Sequence, residues 1–436
     1  MVESIPAILR VGFVFAILLV GIRKKLSFGN AFLLGAIVLG VVFGLTPGAI
    51  LRSIIASITY PKTLSLAAVV SLILLLSHSL EQAGQMQRLL ESFQGLVKSP
   101  KLNVVAFPAL IGLLPMPGGA IFSAPMVKNL GAPLSLSASQ LSYINYWYRH
   151  IWEYWWPLYP GVLLTTTLAE IDLWVFVLTL FPITIVAFYS GWWPLRRAGL
   201  GPDHSRNTSV QQPRPPLGPF VKEMTPILIA IGLGVVLGAV FSTVPPFKVL
   251  FAKTAKEVGL IISLCLSIGW VWNGDRMSAA RRLRLLKNRQ LLLMIYMVAS
   301  IFAFKGILGD SHAVQAITDE LMAVHIPLLA ITVVLPFLVG LIVGITVGYV
   351  GTTFPILIAL VQAFGQDHLI LSYMMLGLVS GFVGVLVSPL HICLLLSNEY
   401  FGTGLGKVYR YLLVPCLVLL FAGILYFLIL RWLNPF

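Results

Sequence analysis

Residues 103–127 read NVVAFPALIGLLPMPGGAIFSAPMV, an apolar run interrupted in its middle by Leu114-Pro115-Met116-Pro117-Gly118-Gly119. A spanning helix needs roughly 20 largely apolar residues, so the run could cross a bilayer once. The clustered prolines and glycines free backbone groups that hydrocarbon cannot satisfy, so the break has to face protein or a water-filled cavity. A second run, 326–361, is interrupted by Gly348-Tyr349-Val350-Gly351-Thr352-Thr353. Whether these runs cross or turn back decides the topology, and the placement of charge discriminates between the two.

With 58% hydrophobic and 10% charged residues, against about 25% charged in globular domains, the 436-residue chain reads as a polytopic membrane protein. A soluble enzyme and a nucleic-acid-binding domain are excluded. Ten further runs have spanning length: 5–22, 28–45, 63–80, 138–169, 171–192, 221–243, 257–273, 290–305, 369–400 and 410–431. If 103–127 and 326–361 are re-entrant hairpins, four basic loops fall on one side: Arg23 to Lys25; Arg196, Arg197, Arg206 and Arg214; Arg276, Arg281, Arg282, Arg284, Lys287 and Arg289; Lys407 and Arg410. That side is the cytoplasm. Counting either hairpin as a crossing would put basic loops on both sides. The expectation is an all-α protein of the inner membrane with ten transmembrane helices, two re-entrant hairpins and both termini outside the cytoplasm. The formal charge of +14 then reports orientation, and no nucleic-acid partner is implied. The first run has no basic residue before Arg10 and no small-residue cleavage site after it, so it reads as a retained helix. The sequon at Asn207 falls in a cytoplasmic loop and is discarded. Cys265, Cys393 and Cys416 all sit in apolar runs without metal-site spacing, which gives neither a disulfide framework nor a zinc site.

The polar stretch 193–220, with Pro213, Pro215 and Pro216, is the one long linker, and it separates 1–192 from 221–436. Both halves carry the same order of elements. Val127-Lys128-Asn129-Leu130-Gly131 follows the first break and Val361-Gln362-Ala363-Phe364-Gly365 the second. His150-Ile151 precedes Tyr159-Pro160-Gly161 as His391-Ile392 precedes Tyr400-Phe401-Gly402. An odd number of crossings before the linker makes the halves repeats of inverted topology. Segments 86–97 and 311–322 precede their hairpins and mix charged with apolar residues; they read as surface helices or as interfacial arms.

Candidate site residues cluster at the breaks. At the first tip, Pro117, Gly118, Gly119 and Ser123 expose backbone that a ligand can approach, and a half-helix opening at Gly119 would favour an anion. At the second, Gly351 is followed by Thr352 and Thr353, whose two hydroxyls are offered to a solute or a cation; the alternative at both is a kink in a packed helix. In the fourth span Asn145, Arg149 and Glu153 recur every four residues on one helical face. Arg149 and Glu153 either form an internally neutralised structural pair, or serve as anion ligand and, with His150, proton carrier. In the ninth span Ser388 marks a break and His391 is either a core histidine or a third ion-coupling group. No nucleotide-binding loop or metalloprotease motif is present.

Three motifs carry a resemblance: Leu113-Leu114-Pro115-Met116-Pro117-Gly118-Gly119, Asn145-Tyr146-Trp147-Tyr148-Arg149-His150-Ile151-Trp152-Glu153, and Gly351-Thr352-Thr353-Phe354-Pro355. Over nearly its whole length the chain resembles an uncharacterised family of bacterial and archaeal integral-membrane permeases within the ion-transporter superfamily. Relatives there carry gluconate, citrate, dicarboxylates or arsenite. The resemblance implies two inverted halves with re-entrant hairpins, a homodimer, and movement of anionic substrates with Na⁺ or H⁺. The sodium-coupled dicarboxylate carriers have Ser-Asn-Thr at both tips, where this chain has Pro-Gly-Gly and Gly-Thr-Thr. The expected function is secondary active transport of a small anionic organic solute across the lipid bilayer, coupled to H⁺ or Na⁺, with no other cofactor and no enzymatic activity. A channel or facilitator, or an intramembrane lipid-handling protein or enzyme, are the alternatives.

Overall fold

The computed structural model describes residues 5–116, 118–197, 215–251 and 254–434. Pro117, Arg206, Arg214 and the Asn207 sequon lie outside them. The first half runs α1 (Ala7–Arg23), α2 (Phe28–Val42), α3 (Pro47–Thr59), α4 (Pro61–Gln82), α5 (Gln85–Phe93), α6 (Pro100–Gly112), α7 (Ala120–Gly131), α8 (Ala138–Arg149), α9 (Pro160–Leu168) and α10 (Leu173–Arg197). The second starts with α11 (Leu217–Leu228), which passes through a π turn into α12 (Gly234–Thr243), then α13 (Pro245–Phe251), α14 (Ala255–Gly274), α15 (Ala279–Leu286) and α16 (Arg289–Asp310). It ends with α17 (Ala313–Ala323), α18 (Leu328–Val343), α19 (Thr346–Ala363), α20 (Ile370–Leu386), α21 (Ile392–Phe401) and α22 (Leu405–Leu433). No strand forms among the described residues.

Local chemistry sets many of these boundaries. Ser27, Thr46, Ser99 and Asn288 accept backbone N–H bonds at helix starts, and Ser137 with Gln140 closes a capping box at α8. Proline occupies the first turn of α3, α4, α6 and α9, where its missing N–H costs nothing. Gly344 ends α18 at φ 69° and Gly402 ends α21 at φ 65°, a left-handed conformation that glycine adopts freely.

Among the described residues, eight helical segments are long and apolar enough to cross a membrane, which makes this a multi-pass helical membrane protein. The segmentation departs from expectation in four places. Runs 5–22 and 28–45 form helices of 17 and 15 residues, short for a full span. Helix α3, in a stretch the sequence reading left empty, is a short apolar helix in which only Ile50 and Ser53 are buried. Runs 138–169 and 369–400 are each two helices joined by non-helical backbone at 150–159 and 387–391. The second interrupted run breaks at Gly344-Ile345 and not at 348–353, which is continuous helix within α19.

Helices α6 and α7 lie against each other, as do α18 and α19. Around them the halves interleave: α2 packs on α16 while α14 packs on α4, and α1 meets α17 while α11 meets α5. Short helices α5 and α17 are tied by polar contacts to the opposite half. Arg88 bridges Glu223 at 3.3 Å and Asp275 at 2.9 Å, and Gln85 donates to the Glu223 carbonyl at 3.0 Å. Glu320 accepts the N–H groups of Ala7 at 2.5 Å and Ile8 at 2.8 Å, covering two of the orphan donors that open α1. Glu320→Ala is therefore expected to cost about 1 kcal/mol, the worth of a helix cap, read as a lower thermal midpoint in detergent.

Candidate functional site

Every residue of α8 from Gln140 to Arg149 is buried. Its aromatic side chains hold it in place, because a buried Tyr or Trp brings a polar tip that must find a partner. Tyr143 donates to the Gly191 carbonyl at 2.9 Å, Trp147 to Ala187 at 3.1 Å and Tyr148 to Phe188 at 3.3 Å, fixing α8 to α10. Tyr146 donates to Leu386 at 3.0 Å, at the end of α20. The sequence run that looked unusually polar for a span is thus the central post of the molecule.

Arg149 ends that post with 3% of its surface exposed. Its Nη2 donates to the Met116 carbonyl in the α6–α7 link at 2.6 Å, Nη1 lies 3.4 Å from His150 Nε2, and Nε has no protein partner. Gly118 takes φ 73° in the link. A Cβ on Gly119 would fall 2.4 Å from Arg149 Nη2, so a side chain there would displace the guanidinium from its place against the link. The expected Arg149–Glu153 pair is not formed. Helix α8 stops at Arg149 and the two residues leave their common face, so no carboxylate among the described residues lies within 4.0 Å of the guanidinium. Glu153 instead accepts a short hydrogen bond from Thr346, the first residue of α19, and stands 3.8 Å from His150 Nε2.

His150 Nδ1 lies 2.6 Å from the Tyr146 carbonyl and so carries a proton, which leaves Nε2 of the neutral ring as an acceptor. His391 Nε2, 3.2 Å away, is then the donor, and His391 Nδ1 is left as a buried lone pair with no protein partner. The imidazoles come from the breaks after α8 and α20, one in each half of the chain. The ligating atoms of His150, His391 and Cys393 all fall within 4.8 Å of one another, a spacing that a metal ion could use. Arg149 places a fixed cation 3.4 Å from His150 Nε2, which opposes any further positive charge there.

These groups surround a cavity of about 220 Å³, lined by Gly118, Arg149, His150, Glu153 and His391 together with Thr346, Tyr159 and Cys393. Its remaining wall is largely aliphatic. A larger cavity of about 320 Å³ lies near the start of α10. Its cations are already matched, Lys62 to Glu170 at 3.5 Å and Lys256 to Asp172, so the smaller cavity is the better candidate.

Several expected site residues lie elsewhere. Ser123 and Asn145 are buried in a closed network: Ser123 donates to Asn145 at 2.6 Å, and the Asn145 amide donates to Ala120 at 3.0 Å and Ser397 at 2.9 Å. Asn145→Ala is expected to destabilise the protein by about 1–3 kcal/mol by stranding these partners, seen as a lower thermal midpoint. Ser388 donates to the Leu341 carbonyl at 2.7 Å and holds the break after α20. Gly351, Thr352 and Thr353 are buried inside α19 and not at a tip; the two hydroxyls bond back to Gly348 and Tyr349 carbonyls of their own helix. Pro117 is outside the described residues. Sequence reasoning missed Thr346, Tyr159 and Cys393. Gly344 immediately before Ile345-Thr346 was the available signal for the first, and the His391-x-Cys393 spacing for the last.

The fold and this centre define a polytopic helical membrane protein with a largely apolar cavity into which both halves of its chain bring polar groups. It belongs to the family described as "Protein of unknown function (DUF401)", which it matches over residues 7–430. No curated protein matches the sequence.

Proposed function

We propose that the protein is a secondary active transporter that moves a small organic anion by alternating access, within the ion-transporter superfamily. The observation that carries this reading is the convergence of two helix-pair links and two helix breaks, from opposite halves, on one buried cavity containing an arginine with no carboxylate partner. The matched order of elements and the exchanged contacts of α2, α14, α4 and α16 support inverted repeats. In that arrangement α6–α7 and α18–α19 are re-entrant hairpins, and α5 and α17 are the arms that hold them to the scaffold. The basic loops then put both termini outside the cytoplasm of a cell with an inner membrane, and the carrier works as a homodimer.

Arg149 is the anion ligand, and Glu153, His150 and His391 form the route for a coupling proton; Gly118 and Gly119 let the guanidinium and the solute approach the first tip. Coupling to H⁺ is preferred over Na⁺ because the hydroxyls of Thr352 and Thr353 are turned onto their own helix. The test is uptake of labelled carboxylates by the purified protein in proteoliposomes. Saturable uptake driven uphill by an inward H⁺ gradient is expected. Glu153→Gln is expected to lose concentrative uptake while retaining solute exchange, and normal pH-driven uptake in both Glu153→Gln and His150→Ala would sink the proton route.

A further inference from the structure

Building on that transport reading, we infer that the solute is a singly charged carboxylate with a short apolar tail, carried together with one proton. Charge counting in the cavity argues this. The groups on its wall that are counted as charged before a proton is taken up are one guanidinium, Arg149, and one carboxylate, Glu153. The Nε2–Nε2 contact of His150 and His391 requires at least one of the rings to be unprotonated; counted with both imidazoles neutral, the empty cavity is formally neutral. A monoanion adds one negative charge at a depth where uncompensated charge is strongly disfavoured. One proton on the linked set of Glu153, His150 and His391 restores neutrality, and His391 Nδ1 is an unpartnered site able to take it. The other titratable or aromatic groups facing this set are Tyr146, Tyr159 and Cys393. A dicarboxylate would bring a second negative charge and find no second cation.

The shape of the cavity selects the rest of the molecule. At about 220 Å³ it lies below the range of drug-sized sites, about 300–1,000 Å³. Facing the polar groups are Val70, Ile73 and Leu74 from α4, Met294 from α16, and Ile345 and Val347 at the second link. These offer no partner to hydroxyl groups, so a sugar acid would lose its hydrogen bonds to water on entry. A carboxylate against Arg149 and Gly118 with a branched or straight aliphatic tail against α4 and α16 satisfies both walls.

The test uses the wild-type full chain in proteoliposomes, with 3-methylbutanoate, succinate and gluconate as probes, and the membrane potential set independently of the pH gradient. The expected result is saturable 3-methylbutanoate uptake that follows the pH gradient, is indifferent to the potential, and is competed about 100-fold less well by succinate or gluconate. Potential-driven 3-methylbutanoate uptake would overturn the one-proton balance. Uptake of succinate or gluconate in preference to 3-methylbutanoate would overturn the substrate class and leave the transporter reading standing. If folded protein neither binds nor moves any of the three, in thermal-shift and uptake assays alike, the transporter reading falls with it.

Discussion

Arg149→Ala protein is expected to lose affinity for its solute by two orders of magnitude or more while still yielding folded protein. The guanidinium is buried, its Nε is without a protein partner, and the one carboxylate of the cavity, Glu153, balances its charge without touching it, so in the empty protein it lacks a direct anionic acceptor. A bound carboxylate supplies that acceptor, and removing one partner of a buried charge pair typically costs about 3–5 kcal/mol. The structural role of Arg149 is narrower: its direct hydrogen bond to the chain is to Met116, and losing it strands one carbonyl at about 1–3 kcal/mol. Arg149→Lys tests geometry separately, because an ammonium keeps the charge and loses the fork that spans Met116 and His150. Titration of a carboxylate against wild type and both variants, beside their yields on size-exclusion chromatography, separates the roles. Equal loss of binding and of folded yield in Arg149→Ala would make the residue structural.

The second large effect concerns assembly. Gly384→Ala and Gly340→Ala are each expected to reduce the yield of monodisperse protein sharply. A Cβ on Gly384 would lie 2.1 Å from the Phe337 carbonyl oxygen, and one on Gly340 would lie 2.2 Å from that of Gly381. Helices α18 and α20 approach so closely that backbone meets backbone, the arrangement by which small residues let membrane helices associate. A side chain can turn aside from a new methyl group and a main-chain carbonyl cannot, so the helices must separate. Overpacking typically costs about 1–3 kcal/mol and occasionally more; here it also moves Val343 and the Gly344 turn. Thermal midpoints near that of wild type in both variants would show that the pair tolerates separation.

Much of the architecture was legible because hydropathy, caps and charge all report on the same boundaries. The break at 113–119 was found because two prolines and two glycines in so short a stretch leave helix no option. The break in the other half was misplaced because glycine has two uses that a sequence does not distinguish. At Gly351 a Cβ would meet Phe32 at 2.7 Å and Ile301 at 2.8 Å, so this glycine admits neighbouring side chains to an unbroken helix. Gly344, a less conspicuous residue, is the one that turns the chain. The Arg149–Glu153 pair failed for a related reason: four-residue spacing implies contact only while the helix continues, and it stops at Arg149. Cys393 and Thr346 were missed because their local signals, a histidine two residues away and a glycine two residues before, are faint, and what makes them site residues is convergence with Arg149, His150 and Glu153 from the other half.

The ties from Arg88 to Glu223 and from Glu320 to the start of α1 are contacts between halves, as are the bonds of Asn145 to Ser397 and Ser142 to Asn398. Neither half is therefore expected to fold as a self-sufficient unit. Expressed alone, each would expose α5 or α17 without its anchor and hold only part of the wall around Arg149. Expressed together as two polypeptides severed between α10 and α11, they carry every one of these contacts, and the expectation is that they co-purify as a single particle.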